Sequence, residues 1–460
     1  MENRELVLAL ARGIAPEVIK GFAQVLKSHI SPVVPTARGD AWWQRPGLGI
    51  MYQIECRPGW RWNRDFDEFN RSMMDEEGRL AFNGPFCNVE EWVELSKKVG
   101  IDYHIMEIKW HDGICYFDTK LTGWKTEEDY AGRFAEASRS AGIPFMYYYS
   151  SIFDHNPQFD PVQPSRQTVS FMGIPDNPAY DEYLRGQYAE IMEQYGPDGM
   201  WIDWYWPDQC TQTTIDFFRT HYPDTVLTFN ASNLFASSYS RIDYTSGEAH
   251  DLDGPYFKLV REEGGFLAVF SSAWKWGALG RRTLAHPWEL ITPAGRWWQD
   301  PSLRDDPYDL VRMAAITMAS GGRLCMGVTA QMDGSVYPDQ VEQLKVLGDW
   351  YGPRRALFAE SVPLRYRFRE PIGVIVHPES VRPIACRRGD DLLLHLINME
   401  GATRPVELSL HGGFWNTVER AYLEPSGREL PIEKSREKIK AIILPEDIDR
   451  ADIILRLDLL

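Results

Sequence analysis

From about residue 48 to about residue 330, apolar runs rich in β-branched and aromatic residues alternate with amphipathic stretches. Few folds accommodate that alternation, because it specifies parallel strands joined by crossover helices. The strands expected are Leu48–Ile54, Tyr103–Trp110, Pro144–Ser150, Met200–Tyr205, Thr225–Asn230, Asp243–Glu248, Phe266–Ser271 and Arg323–Thr329. About eight such strands predict a (β/α)8 barrel. Helix starts are legible between them. Asn88 and Glu91 make a capping box ahead of Trp92, Leu95 and Val99, Thr126 and Asp129 open a segment over Tyr130–Ala141, and a stripe of Tyr183, Tyr188, Ile191 and Tyr195 stops at Gly196-Pro197.

Beyond Arg355 the helical period gives way to short strands over Gly373–His377, Leu392–Asn398, Val406–Leu410, Ala441–Leu444 and Ile453–Leu457, separated by Gly, Pro and Asn turns. The chain therefore divides into an amino-terminal extension over 1–40 with one helix (Pro16–Lys27), a barrel over 41–355 and a carboxy-terminal antiparallel β-sandwich over 356–460. Residues 272–305 read as loop, with Trp274, Trp276, Trp288, Trp297 and Trp298 forming either a lid or pocket wall or a cluster buried against the barrel rim.

A formal net charge of -17 repels phosphate backbones and anionic lipids, so nucleic acid and membrane surfaces are excluded as partners in favour of a small neutral molecule. The six cysteines lack CxxC or zinc-site spacing, and most are expected to be free thiols. With no apolar leader or spanning run, the expected location is cytoplasmic. The sequence leaves room for a homo-oligomer.

The chemistry centres on Gly196-Pro-Asp-Gly-Met-Trp-Ile-Asp-Trp-Tyr-Trp206, where Asp203 stands among aromatic and aliphatic residues. An ionised carboxyl there is costly unless something pairs with it or its chemistry needs the site. Asp203 is thus a candidate nucleophile in an aromatic-walled sugar pocket, the bland alternative being a buried acid paired with Lys109. Barrel enzymes gather reactive groups at the carboxyl ends of their strands. Four such ends are chemically loaded: Lys109-Trp-His-Asp-Gly113, Tyr147-Tyr-Tyr-Ser150, Trp201-Ile-Asp203 and Gly247-Glu248-Ala-His250. Glu248 is the candidate acid/base, with Asp251, Asp253 and Glu289 as competitors near the predicted rim. His111 with Asp112 forms either a pair for sugar hydroxyls or a satisfied loop histidine. His104, Glu107 and His111 fall on opposite faces of a strand and make a poor metal set, so no metal is expected. The chain has no G-x-S-x-G elbow, Gly-rich phosphate loop or CxxC pair.

At these residues the chain resembles the α-L-fucosidases of glycoside hydrolase family 29. The run from Phe82-Asn-Gly-Pro-Phe through Glu91-Trp92 to Lys109-Trp-His-Asp-Gly113 is similar to that family's "FNP.F...EW" and "KHHDG", and Tyr195-Gly-Pro-Asp-Gly-Met-Trp-Ile-Asp203 to its "YGPDG.WFD". Ala319 to Gly327, Asp333-Gly334 and Leu347 to Trp350 echo its closing pattern, so the likeness runs in order from about residue 48 to 360. It implies retaining hydrolysis of a small oligosaccharide or glycoside, without metal or organic cofactor. It also implies Asp203 as nucleophile, Glu248 as acid/base, and Trp201, Tyr149, Lys109 and His111 beside the sugar. Three departures stand out: Gln53 where the family carries a histidine on the first strand, Trp110 for the first histidine of "KHHDG", and Asn230-Ala-Ser-Asn233 where an arginine is common. Specificity is expected to have moved at Gln53 and Trp110. The alternatives are a glycosidase for another sugar, such as an α-galactoside, and a non-catalytic carbohydrate-binding barrel.

Overall fold

The computed structural model describes residues 41–54, 75–76, 87–151, 154, 156–159, 177–203, 209–230, 241–248, 287–296, 298, 302–331, 333–364, 371, 373–412 and 414–460. Eight parallel strands form one sheet: β1 (Gly47–Ile54), β2 (Tyr103–Lys109), β3 (Phe145–Ser150), β4 (Gly199–Asp203), β5 (Val226–Phe229), β6 (Thr245–Glu248), β7 (Trp288–Pro293) and β8 (Arg323–Ala330). Their spatial order is β5-β4-β3-β2-β1-β8-β7-β6, so β5 and β6 are the two edges. These edges meet where Asp243 N donates to Leu227 O at 2.9 Å and Thr228 Oγ1 to Tyr244 O at 2.7 Å, giving a nearly closed barrel.

The connecting helices described are α1 (Val89–Val99), α2 (Tyr130–Ala141), α3 (Pro178–Tyr195), α4 (Gln209–His221), α5 (Tyr308–Ala319) and α6 (Pro338–Tyr351). Their local signals operate as the residue types dictate. Asp129 caps α2 by accepting from Gly132 N at 3.0 Å, and Gly196 ends α3 at φ 46°, a backbone conformation suited to glycine. The Asn88 amide instead reaches the Glu91 carboxylate at 2.6 Å, so the expected capping box is not formed by these side chains.

Strand alternation sorts the barrel into two apolar layers. Met51, Tyr103, Ile105, Met146, Tyr148, Trp201 and Tyr244 pack inside, while Ile50, Tyr52, Met106, Tyr147, Tyr149 and Ile202 join the helices outside. Seven of the eight strands lie where the residue pattern predicts them. The strand between β6 and β8 is Trp288–Pro293, inside the stretch read as loop, whereas Phe266–Ser271 lies outside the described residues. The pattern hides β7 because prolines flank it and its inward position is an acid, Glu289. The Pro16–Lys27 helix and the whole 1–40 extension also lie outside the described residues.

The carboxy-terminal part comprises β9 (Val362–Pro363), β10 (Val374–His377), β11 (Val381–Arg388), β12 (Asp391–Asn398), β13 (Val406–His411), β14 (Val418–Glu424), β15 (Arg428–Leu430), β16 (Ile432–Lys434), β17 (Lys438–Ile443) and β18 (Asp452–Leu459) in two antiparallel sheets, ordered β10-β13-β17-β16 and β15-β14-β18-β12-β11-β9. Val376, Leu408, Ile439 and Ile443 of the first meet Leu394, Leu396, Ile453 and Leu455 of the second in one buried core, forming a sandwich. The other face of the larger sheet packs on the barrel, with Cys386, Leu393, Ile397 and Ile454 in the barrel's outer core. Arg312 of α5 adds polar links, donating to Asn398 O at 2.7 Å and Arg450 O at 3.1 Å.

At this junction His395 is fully buried, stacked on Phe358 and 2.7 Å from Asp452. Burial disfavours the imidazolium, but the Asp452 carboxylate outweighs it and pushes the histidine up to about 10. A raised folded value means stability fully present below the unfolded value of about 6.5 and lost as pH rises through the folded one. We therefore expect the denaturant midpoint to fall between pH 6.5 and about 10, and to fall less in a His395→Leu/Asp452→Leu double variant.

Candidate active site

At the carboxyl end of the barrel, the inward positions of successive strands carry an arc of polar groups. In order around the rim these are Gln53 of β1, Glu107 of β2, Tyr148 and Ser150 of β3, Asp203 of β4, Asn230 just after β5, and Glu248 of β6. His111 joins from the loop after β2. That loop can turn so tightly because Gly113 adopts φ 78°, and a Cβ there would lie 2.3 Å from Asp154 Oδ1.

Asp203 is buried but keeps 6% of its surface accessible. Its Oδ2 accepts a hydrogen bond from the Tyr148 hydroxyl and lies 3.4 Å from His111 Nε2. His111 is itself oriented by Ser150 Oγ, 2.7 Å from its Nδ1. The other oxygen, Oδ1, accepts from Asn230 Nδ2 at 2.8 Å, and the same nitrogen donates to Glu248 Oε1 at 2.6 Å. One amide thus bridges two carboxylates, whose bonded oxygens lie no farther apart than those two bonds laid end to end. Asn230 is held by its backbone, whose N–H donates to Ile202 O at 2.9 Å. Burial raises the Tyr148 phenol well above its ordinary range, and the charges of Asp203, Glu107 and Glu248 add to the effect. It stays protonated and acts as a donor. Glu248, in contrast, is exposed at its strand end.

Several expected residues stand elsewhere. Lys109 is fully buried behind the strand, 2.5 Å from Asp154 and 4.2 Å from the Tyr149 ring centre. The cause is a register irregularity between Glu107 and Lys109 that pairs Lys109 with Tyr149 and turns it out of the barrel. It contacts neither Asp203 nor the mouth, so a substrate contact and the Asp203–Lys109 pair are both corrected. Tyr149 likewise faces the helices and donates to Gln187 Oε1 at 2.5 Å. The inward tyrosine is Tyr148, one residue earlier, because alternate residues of a strand face opposite sides. Trp201 is inward but only 1% exposed, stacked under Tyr148 at 5.4 Å with its indole N–H on Glu289 at 2.8 Å. It is flooring beneath the site, not a wall of it.

Glu289 is 1% exposed and lies one layer below the mouth, which removes it as a competing acid/base. His250, Asp251, Asp253, Trp274, Trp276 and Trp297 lie outside the described residues. Asp112 accepts from Ile114 N at 2.9 Å and shapes the loop.

The two departures on the first strands do reach the mouth. Gln53 is 7% exposed, and its Oε1 has no hydrogen-bond partner among the described residues. Trp298 lies beside it over Gly327, where a Cβ would come within 2.4 Å of the Trp298 ring and 3.0 Å of Gln53 Oε1. Trp110, half-buried, stacks on His111 with ring centres 4.8 Å apart. Glu107 and Tyr148 are site-lining residues that the strand-end motifs did not single out, and Asn230 entered only as a departure from the family's arginine. The available signal was the two-residue inward period counted back from Asp203 and its paired strands. Among the described residues, no group of three or more His, Cys, Asp or Glu side chains is arranged to hold a metal ion.

Comparison with known proteins converges on one family. The model of the Alpha-L-fucosidase family matches residues 61–353. The chain is 23% identical to an alpha-L-fucosidase of Branchiostoma floridae over 282 residues, covering 58% of this chain and 56% of that protein. It is 21% identical to the tissue alpha-L-fucosidase of Macaca fascicularis over 343 residues, covering 72% and 65%. The chain thus spans between half and two-thirds of the length of these relatives. Among solved structures, Thermotoga maritima alpha-fucosidase in complex with fucose superposes with a TM-score of 0.65 at 18% identity, covering 90% of this chain and 96% of that one. A Bacteroides thetaiotaomicron GH29 alpha-L-fucosidase trapped as a covalent intermediate does so with a TM-score of 0.66 at 16% identity, covering 94% and 98%. At these identities the structural likeness is one of fold.

The buried Lys109–Asp154 pair yields a direct test of the correction. Lys109→Met strands a buried carboxylate and should cost roughly 3–5 kcal/mol in denaturant unfolding. A lysine reaching into the mouth would leave stability nearly unchanged on the same substitution.

Proposed function

The chain belongs to the alpha-L-fucosidase family, and we propose that it is a retaining glycoside hydrolase that removes a terminal sugar of the L-fucosyl class from a small oligosaccharide or glycoside. The observation that carries this reading is the Asn230 amide hydrogen-bonded to both Asp203, at 2.8 Å, and Glu248, at 2.6 Å. It keeps the two acids within the roughly 5–5.5 Å that double displacement requires, whereas inversion needs a wider gap for water. The trapped covalent intermediate of the Bacteroides relative supports the same chemistry.

Asp203 attacks the anomeric carbon, the glycosidic C–O bond breaks, and Glu248 passes its proton to the departing oxygen. Water then enters, Glu248 takes one of its protons, and the hydroxide oxygen bonds to the anomeric carbon as Asp203 leaves. The surroundings divide the roles. Asp203 is ringed by the donors Tyr148, Asn230 and His111, which favour the ionised form and stabilise the carboxylate again when it departs. Glu248 is exposed, as a group must be that trades protons with an aglycone and then with water. His111, Trp110 and Gln53 contact the sugar in this reading, the carbonyl oxygen of Gln53 accepting from a hydroxyl.

Asp203→Ala should lower kcat by on the order of 10³-fold or more on an aryl α-L-fucoside, with azide restoring turnover and forming a glycosyl azide. Unchanged turnover removes Asp203 as nucleophile, and a parent without turnover on any glycoside favours a binding barrel.

A second reading, a glycosidase for another sugar such as an α-galactoside, is favoured by the unpartnered Gln53 oxygen where the family carries histidine. A site built around one hydroxyl discriminates strongly against analogues that lack it. A panel of nitrophenyl glycosides separates the readings: the fucosyl reading expects the highest kcat/KM on the α-L-fucoside and fails if another glycoside is preferred. We expect Gln53→Leu to raise KM and lower kcat/KM by about 10- to 100-fold, the cost of one lost hydroxyl contact.

A further inference from the structure

Beneath the two carboxylates lies a third, Glu289 of β7, that touches neither of them and is only 1% exposed. Its Oε1 accepts from Trp201 Nε1 at 2.8 Å and Ser246 Oγ at 2.9 Å, and its Oε2 from the hydroxyls of Tyr103 at 2.5 Å and Tyr244 at 3.3 Å. Four donors match the four acceptor directions of an ionised carboxylate. The Arg323 guanidinium lies over the Tyr244 and Tyr103 rings, 4.1 and 5.3 Å from their centres.

The origin of two of those donors matters. Trp201 stands two residues before Asp203 on β4, and Ser246 two residues before Glu248 on β6. In a strand this spacing puts each pair on the same face in successive layers. One oxygen of Glu289 therefore holds both the residue directly beneath Asp203 and the residue directly beneath Glu248. It does so across the part of the barrel where β5 and β6 end the sheet without pairing in a ladder. Trp201 also stacks on Tyr148, whose hydroxyl bonds Asp203, so the same oxygen bears on the nucleophile by a second route.

We infer that Glu289 is a positioning residue that sets the separation and orientation of Asp203 and Glu248 from the layer below, by tying β4 to β6 through Trp201 and Ser246. This rests on the reading of Asp203 and Glu248 as the reacting pair. Chemistry between two carboxyls and one carbon tolerates little displacement, and an error of about 1 Å costs on the order of 10²-fold. A glutamine at 289 keeps the volume but turns an NH₂ group toward two of the four donors. The strands carrying the acids would then lose their common anchor while the rest of the barrel keeps its ladders.

The test measures kcat and KM of the full chain on an aryl α-L-fucoside for Glu289→Gln, Trp201→Phe, Ser246→Ala and Tyr103→Phe. Glu289→Gln and Trp201→Phe should lower kcat about 10- to 100-fold with KM changed less than about threefold, because binding contacts are untouched. Their combination should cost little more than either alone, since both cut one link. Ser246→Ala should lower kcat in the same way, whereas Tyr103→Phe, whose strand carries neither reacting acid, should leave it within about threefold. The inference is overturned if Glu289→Gln keeps parental kcat, or if Tyr103→Phe costs as much as Trp201→Phe, the pattern of a merely structural cluster. Should Glu289→Gln fail to fold, Trp201→Phe and Ser246→Ala decide alone. Turnover insensitive to Asp203→Ala indicts the nucleophile instead. If the parent has no turnover, a crystal structure of Glu289→Gln decides: Asn230 still bridging both acids overturns the inference, and release of either one upholds it.

Discussion

A strand in a nearly closed parallel barrel can present only every second side chain to the interior, and nearly everything at this site follows from that constraint. It selects Tyr148 over Tyr149, sets Trp201 under Asp203 and Ser246 under Glu248, and leaves Ile202 and Met200 to the helices. Among the described barrel strands the rule is broken at the irregularity between Glu107 and Lys109, where a charged side chain is turned out of the interior. Its positive charge then meets Asp154 in a fully buried pair that stiffens the base of the β2 loop.

Burial of several acids in one interior needs compensation, and here hydrogen bonds from neutral donors supply much of it, with the buried Arg323 guanidinium adding its charge near Glu289. Asp203 is served by a phenol and an amide, and Glu289 by two phenols, an indole and a hydroxyl. Neutral donors stabilise a carboxylate without cancelling its charge as a close lysine would. The two layers are also connected. The Trp201 indole is bonded to Glu289 and its ring face lies on Tyr148, so the floor and the reacting layer share one aromatic link. Glu248 stands apart from this scheme, exposed and held by Asn230.

The two acids and the polar residues of the first two strands separate along the rim. The acids lie on β4 and β6 with Asn230 between them, whereas Gln53, Trp110 and Glu107 line the opposite arc on β1 and β2. Trp298 adds an aromatic plane next to Gln53, over a glycine that leaves room for it.

The residue pattern alone determined the architecture, because apolar periodicity and turn chemistry are local properties that survive in a bare sequence. Seven barrel strands, the Asp129 cap, the Gly196 stop and several sandwich strands were legible in this way. Asp203 was legible too, since an acid inside an apolar run is conspicuous wherever the chain goes. β7 was not, because its inward residue is an acid that reads as solvent-facing until four donors from other strands are brought to it. Nor could spacing reveal that Lys109 turns outward, that Tyr148 rather than Tyr149 meets Asp203, or that the Asn230 amide spans two carboxylates. Those facts depend on inter-strand register, and register is decided only when the strands pack, since a shift of one residue reverses every side chain.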